Sequence, residues 1–172
     1  MVRPAIVIAA FGCLLALGAA MLGPAAERDT PLPARSIVIR GHAGDVLASL
    51  PLPGKRFAVS YRNSIYGTLA EERYIVLPDG RYRLVQIAAD QLAVLEEYYA
   101  VPGPPRRAEA GDRRAWVVPP DPAHPAVFES LSIAATDLGQ RTLHVPGAAP
   151  LALWRLVDDS HPFVVLDIEE NP

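Results

Sequence analysis

Apolar and polar positions alternate in short runs along most of the chain, and turn residues separate the runs. Phe57, Val59 and Tyr61 alternate with smaller or polar side chains, which is the two-residue period of a half-buried strand. The runs on either side of Asp79-Gly80 predict a tight hairpin, because both residues tolerate the positive φ that such a turn requires. This part of the sequence therefore predicts strands over 56–64, 72–77 and 81–87.

The same pattern continues on both sides of this region and defines the predicted fold class. Asp90 lies in a capping position before leucines at near-helical spacing, which predicts one short helix over 90–100. Many short strands without βαβ alternation favour a mainly β domain, either a single antiparallel β-sandwich or a partly open barrel with that one helix. The further strands are predicted over 36–40, 46–50, 115–118, 131–135, 141–145, 151–157 and 163–168.

An apolar run precedes the predicted domain. Residues 5–22 carry no charged side chain, and Arg3 is the only charged residue before them. The run is longer than the core of most signal peptides and close to the roughly 20 residues of a spanning helix. We expect residues 1–26 to form an apolar helix that is a signal peptide or a membrane anchor, with Arg3 on the cytoplasmic side.

The apolar segment of residues 1–26, which we call the leader, determines the expected domain organisation and location. Residues 27–35 contain two prolines and mixed charges, which is typical of a short extended linker. Residues 36–172 would then form a β-rich extracytoplasmic domain. It would be held at the inner or cytoplasmic membrane by an uncleaved leader, or be secreted or periplasmic after cleavage.

Composition excludes several classes of function. The 172 residues carry a net charge of −3, and the arginine pairs 106–107 and 113–114 are the nearest approach to a basic surface. We expect these loop arginines to be solvated, and we expect no nucleic-acid partner. The four histidines lack the spacing of metal ligands, and the only cysteine, Cys13, lies in the leader. We therefore expect no metal, no cofactor and no disulfide within the domain of residues 36–172.

The strongest local pattern lies between residues 56 and 87. The run Phe57–Tyr66, the segment Glu71–Tyr74 and the Asp79-Gly80 hairpin together resemble a bacterial domain-of-unknown-function family. Its members are small exported proteins that are often encoded beside the fused permease of TAXI-type TRAP transporters. The family typically shows His-Ser-Val after an aromatic strand, where this chain has Asn63-Ser64-Ile65. Family members then show a glutamate, a hairpin and, later, a glycine-rich segment.

The resemblance implies a role and a candidate site. It implies a non-enzymatic accessory domain beside a TRAP transporter, with the permease or its solute-binding protein as partner. Asn63 and Ser64 end the aromatic strand, where they would stabilise the loop or meet a polar ligand, and Glu72, or Glu71, matches the acidic family position. We expect the Glu72 carboxylate to lie near Ser64. The candidate ligand- or partner-binding residues are Tyr61, Asn63, Ser64, Tyr66, Glu72 and Tyr74.

Two other functions remain open from the sequence. An independent small-ligand-binding protein would line its cleft with the tyrosines together with Asn63, Ser64 and Glu72. A serine hydrolase would use Ser64, but the Gly-x-Ser-x-Gly nucleophile elbow is absent from the sequence. We therefore expect no enzymatic activity.

Overall fold

The computed structural model describes residues 34–98 and 103–170, and these form two antiparallel β-sheets with very little helix. The predicted mainly β class is therefore confirmed. The predicted leader, most of the predicted linker, and residues 99–102, which include the last two residues of the predicted helix, lie outside the described residues. The strands are β1 Arg35–Arg40, β2 Val46–Leu52, β3 Arg56–Arg62, β4 Leu69–Val76, β5 Tyr82–Ala89, β6 Arg106–Arg107, β7 Trp116–Val118, β8 Val127–Phe128, β9 Leu131–Ala134, β10 Thr142–His144, β11 Leu151–Ala152 and β12 Phe163–Glu170.

The small sheet has four strands in the order β2-β1-β12-β9. The large sheet has eight, in the order β11-β10-β3-β4-β5-β7-β6, and its β8 pairs with β5. Both sheets contribute to one apolar core: Ile37, Ile39 and Leu166 of the small sheet belong to the same buried cluster as Phe57 and Val59 of the large sheet. The hairpin predicted at Asp79-Gly80 is present as β4–β5, and β1 and β2 also pair as antiparallel neighbours.

Aromatic side chains fill the centre of this core. Phe57 stacks on Tyr74 with ring centroids 5.0 Å apart, and it meets the edge of Tyr82 at 5.3 Å. The buried Tyr82 hydroxyl donates a hydrogen bond of 3.1 Å to the carbonyl oxygen of Leu166, which joins the large sheet to the small one. Edge-to-face and stacked pairs of this kind add stability beyond their buried area.

Two predicted elements differ from the structure. The strand predicted over 151–157 ends at Ala152, and Leu153–Arg155 form one turn of 3-10 helix. This turn brings Leu153 and Leu156 to the core at the i, i+3 spacing of a 3-10 helix, which an extended strand would not do. The helix predicted over 90–100 is present as a short helical segment over 92–98, whose Val94 and Leu95 are fully buried.

Candidate functional site: a charged face of the large sheet

The two faces of the large sheet differ in chemistry. In β3, Phe57, Val59 and Tyr61 belong to the apolar clusters, so the alternate residues Ala58 and Ser60 lie on the opposite face. In the register of β3 and β4, Ser60 is paired with Glu71 and Ala58 with Arg73. His144 of β10 is paired with Ala58 from the other side. Paired residues share a face, so Ser60, Glu71, Arg73 and His144 lie together on what we call the charged face.

Glu71 is the centre of the charged face, and its side chain is fully buried. Arg73 Nε donates to its Oε1 at 2.7 Å, and Arg113 donates from Nε to Oε2 at 3.0 Å and from Nη2 to Oε1 at 2.8 Å. Arg114 Nε lies 3.7 Å from Oε2. Burial by itself would raise the pKa of Glu71, but the hydrogen bonds from Arg113 and Arg73 outweigh it and lower the pKa below its ordinary value.

The arginines are themselves fixed by other partners. Arg73 Nη1 donates to Gln86 at 2.7 Å and to Asp112 at 2.8 Å. The Arg73 guanidinium, opposed by some desolvation, holds the pKa of Asp112 at about 2. Arg114 Nη1 donates to both carboxylate oxygens of Asp90, at 3.1 and 3.0 Å. The segment 112–114 is therefore held against the sheet by ion pairs.

A pocket of about 490 Å³ opens beside this network. One part of its wall is cationic or polar and is formed by Arg56, Arg73, Arg113 and His144. Another part is apolar and is formed by Ala58, Val145, Pro146, Ala148 and Pro150, with Phe57 and Tyr74 also contributing. The volume lies within the range of small-molecule sites, which combine apolar walls with a few fixed polar groups.

His144 is the histidine of the pocket wall. Its Nε2 is 2.8 Å from the Ser60 hydroxyl oxygen, and burial, followed by the nearby Arg113 charge, lowers its pKa below the ordinary value. His144 is therefore neutral at neutral pH. The arrangement differs from a Ser-His-acid triad, because both Glu71 oxygens receive arginine N–H groups and Ser60 is only 5% exposed.

Three of the predicted site residues lie in a different place. Tyr61, Asn63 and Ser64 line a smaller depression of about 180 Å³ together with Arg141, whose guanidinium carbon lies 4.6 Å from the Tyr61 ring centroid. The Asn63 Oδ1 accepts the backbone N–H groups of Ile65 at 3.0 Å and Tyr66 at 3.1 Å. Asn63 is therefore used to close the β3–β4 loop.

The other three predicted residues are spread over different surroundings. The Tyr66 hydroxyl donates to Glu97, and the Tyr74 hydroxyl donates to Glu72 at 2.7 Å within the large sheet. The expectation that Glu72 lies near Ser64 is wrong. Glu72 is paired with Val59, which lies three residues before the end of β3. Glu72 is therefore about 10 Å along the strand from the β3–β4 loop that contains Ser64.

Sequence reasoning missed the residues that form the charged face. Arg113 and Arg114 were expected to be solvated, but Arg113 binds the buried Glu71 and Arg114 is 10% exposed. The available signal was the alternation in β4, where Glu71 and Arg73 lie on one face and Glu72 on the other. That alternation predicts a charged side of the strand, but it does not reveal that a distant loop covers it.

No known protein family, curated protein or solved structure matches this chain. Within residues 34–98 and 103–170, no group of three or more His, Cys, Asp or Glu side chains is arranged to hold a metal ion. The same residues include no helix with the length and apolar character needed to cross a membrane.

Proposed function

We propose that this chain is an exported or membrane-anchored, non-enzymatic domain that binds a small ligand at the charged face and acts as an accessory to a solute transporter. The observation that carries the ligand-binding part is the pocket beside Arg73, Arg113 and His144. The export part rests on the apolar leader, whose sequence is that of a signal peptide or anchor.

The buried Glu71 supports a binding role. An ion pair of this kind costs desolvation energy, and apolar residues of similar volume often give equal or greater stability. Its presence is better explained by what it positions: Glu71 fixes Arg113 through two hydrogen bonds and Arg73 through one, and both arginines then line the pocket. Perturbed charges beside a cleft are a frequent mark of functional sites.

The hydrogen-bond pattern favours binding over catalysis. A serine nucleophile needs an exposed hydroxyl and a histidine oriented by an acid. Ser60 is buried, and the nearest acid, Glu71, is engaged by arginines. The exposed Ser64 lies in the other depression, with Tyr61 and Asn63.

A matched pair of substitutions tests ligand binding. Ala148 and Ala149 are adjacent and exposed, but only Ala148 lines the pocket. A thermal-shift screen of carboxylates, amines, amino acids and sugars identifies a ligand, which at about 100 times its Kd adds roughly 2.7 kcal/mol of stability. We expect Ala148→Trp to abolish the shift and Ala149→Trp to retain it. Absence of any shift, or equal loss in both variants, would refute the proposal.

The transporter role rests on the sequence resemblance of residues 56–87 to the exported family, and this segment also contributes to the pocket. Residues 56–87 span β3, β4 and most of β5, which are consecutive neighbours in the large sheet. Arg56, Phe57, Ala58, Arg73 and Tyr74 of this unit line the pocket.

The test is to delete the gene and measure uptake of the neighbouring transporter's substrate, with a complementing copy as the control. Co-purification with the permease or its solute-binding protein is measured in parallel. Unchanged uptake without co-purification would contradict the transporter role while leaving ligand binding intact. A topology reporter fused after Ile168 tests export, which activity only inside the cell would refute.

A further inference from the structure

The charged side chains that line the pocket are all cationic. Among the described residues, the wall contains Arg56, Arg73 and Arg113 and no aspartate or glutamate. The acids that pair with Arg73 and Arg113 do not line the pocket: Glu71 is fully buried, and the Asp112 side chain is 17% exposed. In the part of the chain that the structure describes, a ligand in the pocket therefore meets guanidinium groups and no carboxylate.

The cluster as a whole keeps one positive charge in excess. Its cations are the arginines at 56, 73, 113 and 114, and its anions are Glu71, Asp90 and Asp112, which gives 4 − 3 = +1. His144 adds nothing to this sum at neutral pH, because burial and the Arg113 charge lower its pKa. One negative charge on a ligand would neutralise the cluster.

Two of the arginines have donors available for that charge. Arg113 binds Glu71 through Nε and Nη2, its Nη1 makes no hydrogen bond with any described residue, and its side chain is 51% exposed. The Arg56 side chain is exposed, and within the described part of the chain it makes no side-chain hydrogen bond or ion pair. Arg73, in contrast, is occupied by Glu71, Gln86 and Asp112. Guanidinium groups pair well with carboxylates because their planar donors match the two oxygens.

The rest of the wall selects the body of the ligand. Val145, Pro146, Ala148 and Pro150 come from the segment that follows β10, and their side chains are apolar. A second charge on the ligand would have to be desolvated against this surface, at a considerable cost in free energy.

We propose that the pocket binds a small organic monocarboxylate with an apolar body. The carboxylate is held by Arg113 and Arg56, the apolar body contacts the Val145–Pro150 wall, and Glu71 is a positioning residue that fixes the Arg113 fork. This inference rests on the proposed ligand-binding function, and it adds the chemical class of the ligand.

Calorimetry with matched probes tests the ligand class. Hexanoate, 1-hexanol, hexylamine and adipate share a six-carbon body and differ in charge. We expect hexanoate to bind, and the alcohol, the amine and the dicarboxylate to bind at least about tenfold more weakly, in line with the loss of a charge-assisted pair or the burial of a second charge. Equal binding of the alcohol, or tighter binding of the amine or adipate, would refute the monocarboxylate while leaving ligand binding intact. Absence of binding by every probe would count against both proposals.

Substitutions test which arginines hold the carboxylate. We expect Arg56→Gln to weaken hexanoate binding about threefold, as for an exposed pair, and Arg113→Gln to weaken it about tenfold. Arg113→Lys keeps a positive charge beside Glu71 but lacks the planar pair of guanidinium donors, so it should also weaken hexanoate binding. Arg62→Gln is the control, since Arg62 is an exposed arginine of the same strand, about 20 Å from Arg56, and lies outside the pocket. Unchanged affinity in Arg56→Gln together with Arg113→Lys, or equal loss in Arg62→Gln, would overturn the assignment.

Discussion

Replacing Glu71 with glutamine tests the energetic role of the charged face. The substitution keeps the shape of the side chain and removes the charge that Arg73 and Arg113 pair with in a fully buried position. Removing one partner of a buried ion pair typically costs about 3–5 kcal/mol, because the opposite charge remains buried. The lower end applies here, since Arg113 is half exposed and Arg73 retains Asp112. We expect a loss of about 3 kcal/mol in the free energy of unfolding.

The loss is measurable by urea denaturation, with circular dichroism and tryptophan fluorescence as independent probes. Glu97→Gln is the matched control, because Glu97 is exposed and accepts a hydrogen bond only from Tyr66 among the described contacts. It should change stability by less than about 0.5 kcal/mol. A cost below about 1 kcal/mol for Glu71→Gln would refute the view that the buried carboxylate holds the arginines in place.

The pH dependence of the same variant gives a second check. The pKa of Glu71 is lowered in the folded protein, so its contribution is fully present above the ordinary glutamate pKa of about 4.3. That contribution is lost as the pH falls through the lower folded value. The difference in unfolding free energy between the wild type and Glu71→Gln should therefore shrink in acid. A difference that stays constant down to about pH 2 would contradict the charge-based explanation.

Three further predictions concern neighbouring groups. Because Arg73 holds the pKa of Asp112 at about 2, wild-type stability should fall between about pH 4 and pH 2, and Asp112→Asn should flatten this part of the stability profile. Tyr82→Phe removes the hydrogen bond to the Leu166 carbonyl, so urea denaturation should show a loss of about 1 kcal/mol, and a neutral effect would contradict the proposed link between the sheets. The His144 ring should titrate below about pH 6.5 by NMR, and a midpoint above that value would contradict its buried position beside Arg113.

The fold class could be predicted because its determinants are local. The alternation in β3 and the Asp79-Gly80 turn depend on neighbouring residues only, and both produced the expected elements. The turn at Leu153–Arg155 could not be predicted in this way. The sequence 151–157 is a nearly continuous apolar run that is also compatible with a strand, and the choice depends on how Leu153 and Leu156 reach a core formed by distant strands.

The candidate site was less predictable because its parts come from distant segments. The loop-stabilising role of Asn63 is predictable from the sequence, because its side chain accepts hydrogen bonds from backbone N–H groups two and three residues later. Glu71 and Arg113 are 42 residues apart, and no local pattern relates them. Arginines in a proline- and glycine-rich segment are usually solvated, so only the folded arrangement reveals that Arg113 and Arg114 serve a buried carboxylate.

The pairing of β1 with β12 has a consequence for how quickly the domain acquires its structure. Arg35 and Glu170 form an ion pair across 135 residues of sequence, and the intervening register joins Ile37 to Ile168 and Ile39 to Leu166. Contacts of such long range delay folding, because the entropy of closing the loop is lost before the strands gain their contacts. During synthesis, β1 can pair only with β2 until β12 has been made, so the apolar side chains of β1 lack one of their two neighbouring strands. Apolar surface that stays exposed during this interval favours aggregation of the newly made chain.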